Sequence, residues 1–138
     1  MAHIEGGCLC GKVRYTISAE PVATALCHCK HCQKHTGSAF AALLAVPSNA
    51  LNIDKSSLKF FGDKGDSGHY VKRGFCPECG SGVMSEVEVT PGLEWLRAGS
   101  LDDSSWYKPG INIWCASAQH WVTMPEGVPS VPGNPPAG

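Results

Sequence analysis

The chain has 138 residues, which is long enough for one domain with a hydrophobic core and too short for two. Its formal net charge of -1 provides no overall positive charge for binding nucleic acid or an anionic membrane. The 16 glycines and 10 prolines predict many turns between short strands. No run of about 18 apolar residues and no signal-peptide pattern is present, which indicates a cytoplasmic protein.

Short strands separated by turns dominate the predicted elements of the first half. Residues 12–17 alternate apolar and polar side chains, which predicts a strand with one buried face. That face consists of Val13, Tyr15 and Ile17. Residues 22–26 form a second predicted strand, and residues 33–37 predict a turn or a single helical turn that ends at Gly37.

The apolar run at residues 39–46 predicts a strand buried on both faces beneath the cysteine-rich segment that precedes it. Further short strands are predicted at residues 51–53, 58–61, 69–71, 83–89, 93–97 and 111–115. Residues 62–68 predict the exposed end of a hairpin. Five prolines and three glycines occupy the last fourteen residues and predict a tail or wrapping arm. We therefore expect a β domain over residues 1–124 and a Pro/Gly-rich tail over residues 125–138.

Seven of the eight cysteines lie in three clusters. The clusters are CLC at residues 8–10, CHCKHC at residues 27–32 and CPECG at residues 76–80. C-x-C and C-x-x-C spacings in a chain without a secretion signal favour metal binding over four disulfides. Soft sulfur ligands at such spacing are typical of zinc.

The clustered cysteines divide most simply into a group of four and a group of three. Cys8, Cys10, Cys76 and Cys79 would form one site and join the N-terminal turn to a zinc knuckle far along the chain. Cys27, Cys29 and Cys32 remain for a second ion. A structural zinc has four protein ligands, whereas a reactive zinc keeps one position open, so this division bears on function.

Spacing leaves open that His28, His31 or His35 joins the central cluster and closes it as a structural site. The simpler interpretation is that these histidines are solvated side chains in a polar turn. Cys115 is predicted to be a small buried residue on a strand. Five cations are expected at the surface unless they surround the open metal position: Arg14, Lys30, Lys34, Lys72 and Arg73.

The sequence resembles the family of glutathione-dependent formaldehyde-activating enzymes, also called the Gfa or centromere protein V family. The motifs that carry the resemblance run in order over about the first hundred residues. They are GGCLCGKVRY at residues 6–15, CHCKHC at residues 27–32 with TGSAF at residues 36–40, FCPECGS at residues 75–81 and AGSLDD at residues 98–103.

This resemblance implies a mainly β, single-domain fold of short antiparallel strands, of the β-tent type, with two zinc ions. Cys8, Cys10, Cys76 and Cys79 match the structural-zinc positions. Cys27, Cys29 and Cys32 match the catalytic zinc, which has an open fourth position. The family's activity is the condensation of glutathione with formaldehyde to S-hydroxymethylglutathione, which is classed as a carbon-sulfur lyase reaction.

The leading hypothesis is therefore zinc-assisted addition of a small glutathione-like thiol to formaldehyde or a related small aldehyde. Three thiolates leave a zinc site at a formal charge of -1, which favours delivery of sulfur over strong activation of the carbonyl. Lys30, Lys34 or Arg14 could bind the carboxylates of the thiol. The alternatives are a glutathione carrier or sensor without turnover, and a purely structural zinc module.

Overall fold

The structure is a computed structural model that describes residues 3–65 and 67–135. Within these ranges it contains one α-helix, α1 (Lys30–Thr36), among short strands. The strands are β1 (Ile4–Gly7), β2 (Arg14–Ile17), β3 (Ala23–Cys27), β4 (Ala41–Pro47), β5 (Leu51–Ile53), β6 (Lys59–Lys64), β7 (Tyr70–Phe75), β8 (Gly82–Val87), β9 (Leu93–Arg97) and β10 (Asn112–Ile113). The predicted mainly β, single-domain fold is confirmed.

The strands form two sheets. The small sheet has the order β1-β2-β5, and the large sheet has the order β10-β3-β4-β9-β8-β7-β6. Pairing in the described strands is antiparallel except between β10 and β3, which are parallel. The pair of β10 and β3 departs from the expected antiparallel pairing, because β10 runs in the same direction as β3. In the described ranges, no helix has the length and hydropathy needed to cross a bilayer.

The main hydrophobic core takes side chains from both sheets. Strand β2 of the small sheet contributes Tyr15 and Ile17, and Val13 lies just before that strand. All three residues of the predicted face are buried. The large sheet contributes Leu44, Val46, Met84 and Leu96. Burial of these apolar side chains is the largest favourable term for the fold.

Strand β4 is buried on both faces, as the continuous apolar run predicts. Leu44 and Val46 belong to the main core, whereas Ala41 and Leu43 pack in a second cluster with the central cysteines. Successive side chains of a strand point to opposite faces, so one strand serves both clusters. The strand therefore lies beneath the cysteine group, as expected.

The hairpin of β6 and β7 is longer than predicted. Its ladder runs from the pair Lys59 and Phe75 to the pair Lys64 and Tyr70, so residues 62–64 are strand and not loop. Cross-strand pairing outweighs the weak strand propensity of Gly62 and its neighbours. The remaining loop is residues 65–69, of which Asp66 lies outside the described residues.

Strand β10 is shorter than predicted because Trp114 adopts a left-handed backbone conformation, with φ of 57°. Cys115 consequently begins a short 3-10 helix, Cys115–Ser117, and is half-buried. The prediction of a fully buried Cys115 on a strand is wrong.

The C-terminal segment lies alongside β10. Asn112 N–H donates to the Pro129 carbonyl at 2.8 Å, and Val131 N–H donates to the Asn112 carbonyl at 2.9 Å. Trp114 N–H donates to the Gly133 carbonyl at 3.0 Å. Residues 136–138 of the predicted tail lie outside the described residues.

A substitution at Gly6 tests how tightly the N-terminal turn is fixed. A Cβ atom there would lie 2.3 Å from the Tyr15 hydroxyl and 2.5 Å from the Ser100 carbonyl oxygen. We expect Gly6→Ala to lower the free energy of unfolding by about 1–3 kcal/mol through overpacking, measured by denaturant titration. Gly62→Ala is the matched control because its Cβ would meet nothing within 4 Å. Equal stability of the two variants would contradict this account.

Candidate metal centres

The first candidate centre is the four-cysteine group, which consists of Cys8, Cys10, Cys76 and Cys79. Its sulfur atoms all lie within 4.8 Å of one another. Cys8 and Cys10 come from the turn between β1 and β2, and the other two come from the turn between β7 and β8. The structure thus brings together two turns that the sequence separates by more than sixty residues.

The sulfur spacing of the four-cysteine group fits zinc. Cys10 Sγ lies 3.6 Å from Cys8 Sγ and 3.7 Å from Cys76 Sγ. A tetrahedron with zinc–sulfur bonds of about 2.3 Å has an edge of about 3.8 Å. The eight cysteines are free in the structure, so these sulfurs are available as ligands.

Local hydrogen bonds stabilise negative charge on two members of the four-cysteine group, Cys8 and Cys79. Val13 N–H donates to Cys8 Sγ at 3.2 Å. The hydroxyl and the backbone N–H of Ser81 lower the pKa of Cys79 to about 5. Gly80 permits this arrangement because its φ of 78° closes the knuckle in a conformation that L side chains rarely adopt.

The second candidate centre is the three-cysteine group, which consists of Cys27, Cys29 and Cys32. All three side chains are buried, and their sulfur atoms lie within 4.8 Å of one another. Cys27 ends β3, and Cys32 lies in the first turn of α1. The structure therefore assembles all seven clustered cysteines into the predicted groups of four and three.

Helix α1 begins three residues earlier than predicted, and the reason lies in this group. Cys29 is its N-cap, and Cys29 Sγ accepts a hydrogen bond from Cys32 N–H at 3.3 Å. Cysteine is not among the usual capping residues, so capping signals in the sequence do not reveal this helix start. The helix ends at Gly37, as predicted.

Two buried arginines flank the three-cysteine group. Arg73 is 4% exposed and Arg97 is 7% exposed. Arg73 Nη1 donates to Cys32 Sγ at 3.7 Å. Hydrogen bonds from Cys27 and Cys29 hold the pKa of Cys32 well below its usual value, and the charges of both arginines act in the same direction. The surroundings of Cys32 thus favour a thiolate.

The Arg73 side chain is held by Asp63. Arg73 Nε donates to Asp63 Oδ2 at 3.0 Å, and His31 Nδ1 lies 2.9 Å from the same carboxylate. Arg73 is thus not a surface cation, and it meets the exception allowed for a cation beside the three-cysteine group. Burying the charged guanidinium of Arg73 has a desolvation cost. Its hydrogen bonds to the Asp63 carboxylate and the Cys32 sulfur offset that cost.

Arg97 is a residue that the sequence analysis missed. Its Nη2 donates to His35 Nδ1 at 3.0 Å. Burial lowers the pKa of His35, and the charges of Arg97 and Arg73 lower it further, so a neutral imidazole accepts this bond. Arg97 Nε has no hydrogen-bond partner among the described residues. No local pattern in its strand, β9, distinguishes it from a surface cation.

No histidine nitrogen joins the three-cysteine group within the described part of the chain. His28 is fully buried, its Nε2 lies 3.3 Å from Asn112 Oδ1, and its ring packs on Phe40. The interpretation of His28 as a solvated side chain is wrong, because β10 and Phe40 cover it. His31 and His35 contact Asp63 and Arg97, respectively.

The other nominated cations lie outside the cavity above the cysteines. Arg14 pairs with Asp102 at the surface. Lys30 and Lys34 are exposed and line a neighbouring depression of about 380 Å³, which Arg73 also lines. Arg73 is thus shared between this depression and the three-cysteine group.

A cavity of about 520 Å³ opens onto the three-cysteine group. Cys27, Cys29 and Cys32 line it together with Arg73 and Arg97. Much of the remaining wall is apolar, and its side chains include Trp95, Trp114, Leu43 and Ile113. The arrangement offers three sulfur ligands, positive charge and room for a small organic molecule in one place.

Comparisons with known proteins identify relatives of this chain. Relatives from Talaromyces marneffei and Aspergillus flavus are provisionally named glutathione-dependent formaldehyde-activating enzymes. The first is 24% identical over 127 residues, covering 90% of this chain and 67% of the relative. The second is 26% identical over 138 residues, covering 94% of this chain and 71% of the relative.

A crystal structure of a Rhodobacter sphaeroides protein matches the fold with a TM-score of 0.60. The match covers 92% of this chain and 99% of that chain at 16% sequence identity, and it supports the fold alone. The family profile described as glutathione-dependent formaldehyde-activating enzyme matches residues 3–117. Since this match spans most of the sequence and includes both cysteine groups, the chain belongs to the glutathione-dependent formaldehyde-activating enzyme family.

Proposed function

We propose that the protein is a zinc-dependent enzyme of the carbon-sulfur lyase type, which adds a thiol such as glutathione to formaldehyde or a related small electrophile. One observation carries the proposal. The three-cysteine group lies at a cavity large enough for a small thiol, with two buried arginines beside the sulfur atoms. Family membership and the names of the relatives support the same activity.

The donor sets of both groups fit zinc. Cys8, Cys10, Cys76 and Cys79 would hold a structural ion, and Cys27, Cys29 and Cys32 would hold a second ion with one position left for a ligand. When bound at the second group, zinc would stabilise the thiolate of the substrate near neutral pH and fix its position.

The reaction balances without a redox partner. The substrate thiol loses its proton, and its sulfur attacks the carbonyl carbon of the aldehyde. A carbon–sulfur bond forms while the π bond of the carbonyl breaks and its electron pair moves to oxygen. That oxygen takes up the proton and becomes the hydroxyl of the S-hydroxymethyl product.

The buried arginines supply the electrostatic part of this mechanism. Three cysteine thiolates and one zinc ion sum to a charge of -1, and a bound substrate thiolate would add another negative charge. Arg73 and Arg97 together contribute two positive charges within the same buried region. They therefore lower the electrostatic cost of bringing several thiolates together in one buried site.

The depression beside Arg73 offers a place for the carboxylates of a glutathione-like thiol. Lys30 and Lys34 line it, and Phe61 lies against the same surface. Because Arg73 borders both this depression and the cavity, a thiol at the three-cysteine group could extend its charged end toward the two lysines. This arrangement supports the nomination of Lys30 and Lys34 over that of Arg14.

Substitution of Arg73 tests the electrostatic role. We expect Arg73→Met to lower kcat about 100-fold because positive charge beside the sulfur atoms is lost, and Arg73→Lys to restore part of the rate. The assay follows formaldehyde consumption at increasing thiol concentration on zinc-loaded protein. Lys72→Met is the matched control because Lys72 is the exposed neighbour on the same strand, β7.

Three outcomes separate the proposal from its alternatives. A rate that saturates with thiol and falls in the Arg73 variants supports an enzyme. Saturable thiol binding without acceleration over the spontaneous reaction would instead identify a carrier or sensor. Equal kcat for Arg73→Met and the parent would remove the arginine from the mechanism. Thermal unfolding of each variant accompanies the assay, since Arg73→Met also leaves Asp63 without its cationic partner.

A further inference from the structure

The wall of the cavity above the three-cysteine group is mostly apolar. Trp95, Ile113 and Trp114 pack directly against the buried cluster of Cys27, Cys29, Cys32, Ala41 and Leu43. Three valines, Val71, Val87 and Val89, continue the apolar wall. The cysteine sulfurs are therefore set in a hydrophobic surround, and the two arginines provide the charge nearest to them.

Trp114 is held in this wall at a conformational cost. It has φ of 57° and ψ of 37°, a left-handed conformation that is rare for a bulky aromatic residue. Among the described residues it is the one non-glycine residue with a positive φ. Strained backbone of this kind persists where surrounding contacts hold it, and it is concentrated at functional sites.

Three contacts fix the Trp114 position. Its backbone N–H donates to the Gly133 carbonyl at 3.0 Å, and its carbonyl accepts from Ser117 N–H at 3.1 Å. Its indole Nε1–H donates to Asn134 Oδ1 at 2.9 Å. Asn134 and Pro135 themselves line the cavity, so the C-terminal segment both anchors the indole and extends the wall.

We propose that this cavity selects a small thiol with an aromatic or branched aliphatic body, and that Trp114 is the residue that sets this preference. The inference rests on the proposed function, since the thiol sulfur would occupy the open position of the three-cysteine group. Its apolar body would then lie against Trp95, Trp114 and Ile113. Transfer of such a body from water to this wall is favourable in proportion to the apolar area covered.

Glutathione meets this wall poorly. Its carboxylates could reach the depression lined by Lys30 and Lys34, but its two amides would lie against the apolar wall, where burying them unpaired costs binding free energy. An aromatic thiol places an uncharged ring against the indoles and leaves the two arginines to compensate the thiolates. The cavity volume of about 520 Å³ holds such a molecule together with a small aldehyde.

The test is isothermal titration calorimetry on zinc-loaded protein with three thiols. Phenylmethanethiol and 2-sulfanylethanol have similar sulfur chemistry but differ in the body attached to it, and glutathione is the third ligand. We expect phenylmethanethiol to bind at least tenfold more tightly than the other two. Its binding should also show the more negative heat-capacity change, which marks burial of apolar surface.

Two variants locate the preference. Trp114→Ala should reduce the advantage of phenylmethanethiol over 2-sulfanylethanol at least fivefold, while zinc content stays unchanged. Val89→Asp should also reduce this advantage, because it places a charge on the apolar wall of the cavity. Val89 is exposed, so the change should leave folding intact. Trp106→Ala is the control, because Trp106 is an exposed tryptophan that does not line this cavity.

The outcomes distinguish this inference from the function on which it rests. Glutathione binding more tightly than phenylmethanethiol would overturn the apolar preference and leave the thiol-addition function standing. A preference for phenylmethanethiol that survives both Trp114→Ala and Val89→Asp would overturn the assignment to this wall. Binding of none of the three thiols to protein with both zinc ions would overturn the proposed function and this inference together.

Discussion

Replacing Cys29 with alanine is expected to reduce the zinc content from two ions per chain to one and to abolish thiol addition, while the domain stays folded. Cys29 provides one of the three sulfur atoms of its group, and two thiolates alone leave zinc with an incomplete ligand set. The main core belongs to a different cluster, so its packing is not disturbed. Elemental analysis after purification without chelator gives the zinc content.

The fold should survive because the remaining cost is modest. Cys29 also caps α1, and loss of a capping side chain costs about 1 kcal/mol. Circular dichroism should therefore show the parental spectrum with a slightly lower melting temperature. Cys115→Ala is the control, since Cys115 lies outside both cysteine groups and its variant should keep two zinc ions and full activity. One zinc ion in the parent, unchanged in Cys29→Ala, would refute a second metal site.

The two cysteine groups were predictable because their signals are local. A C-x-C or C-x-x-C spacing limits the distance between two sulfur atoms whatever the rest of the fold does, and only the pairing of the clusters depends on topology. The buried face of β2 and the double burial of β4 were predictable for a similar reason. Alternation and continuous apolar runs report directly on which faces of a strand meet the core.

The arginines beside the three-cysteine group were not predictable in this way. Arg73 is preceded by Lys72 in β7, and nothing in the local pattern separates the buried cation from the exposed one. Their difference arises from the strand register, which directs Arg73 toward Asp63 and Cys32. Register in a seven-stranded sheet is set by long-range pairing, which a single sequence does not reveal.

The burial of His28 and the conformation of Trp114 have the same origin. Both depend on β10 pairing in parallel with β3, and on the C-terminal segment that pairs with β10 in turn. Parallel pairing between distant segments has no local sequence signature. The part of the cavity wall formed by Ile113, Trp114, Asn134 and Pro135 was therefore not predictable. The sequence patterns described these segments only as a strand and a tail.

Replacing Cys76 with alanine is expected to remove a zinc ion and also to unfold the domain, whereas Cys29→Ala should remove a zinc ion and leave the domain folded. Cys76 is fully buried, and both Cys76 and Cys8 are members of the main core cluster. Its group joins the β1–β2 turn to the β7–β8 turn across a long stretch of chain. Metal binding here therefore contributes directly to the stability of the domain.

The expected magnitude follows from comparing two free energies. Structural zinc binding is worth about 10–16 kcal/mol in small zinc-binding peptides, whereas a whole domain is stable by only about 5–15 kcal/mol. Losing the ion should thus leave Cys76→Ala largely unfolded at room temperature, as measured by circular dichroism and by the loss of a cooperative thermal transition. The parent protein treated with a strong chelator should unfold in the same way as Cys76→Ala. Cys29→Ala is the matched control, because it loses a metal ligand and keeps the fold. A cooperative Cys76→Ala transition at the parental temperature would show that packing between the two sheets, and not the four-cysteine group, holds the N-terminal turn in place.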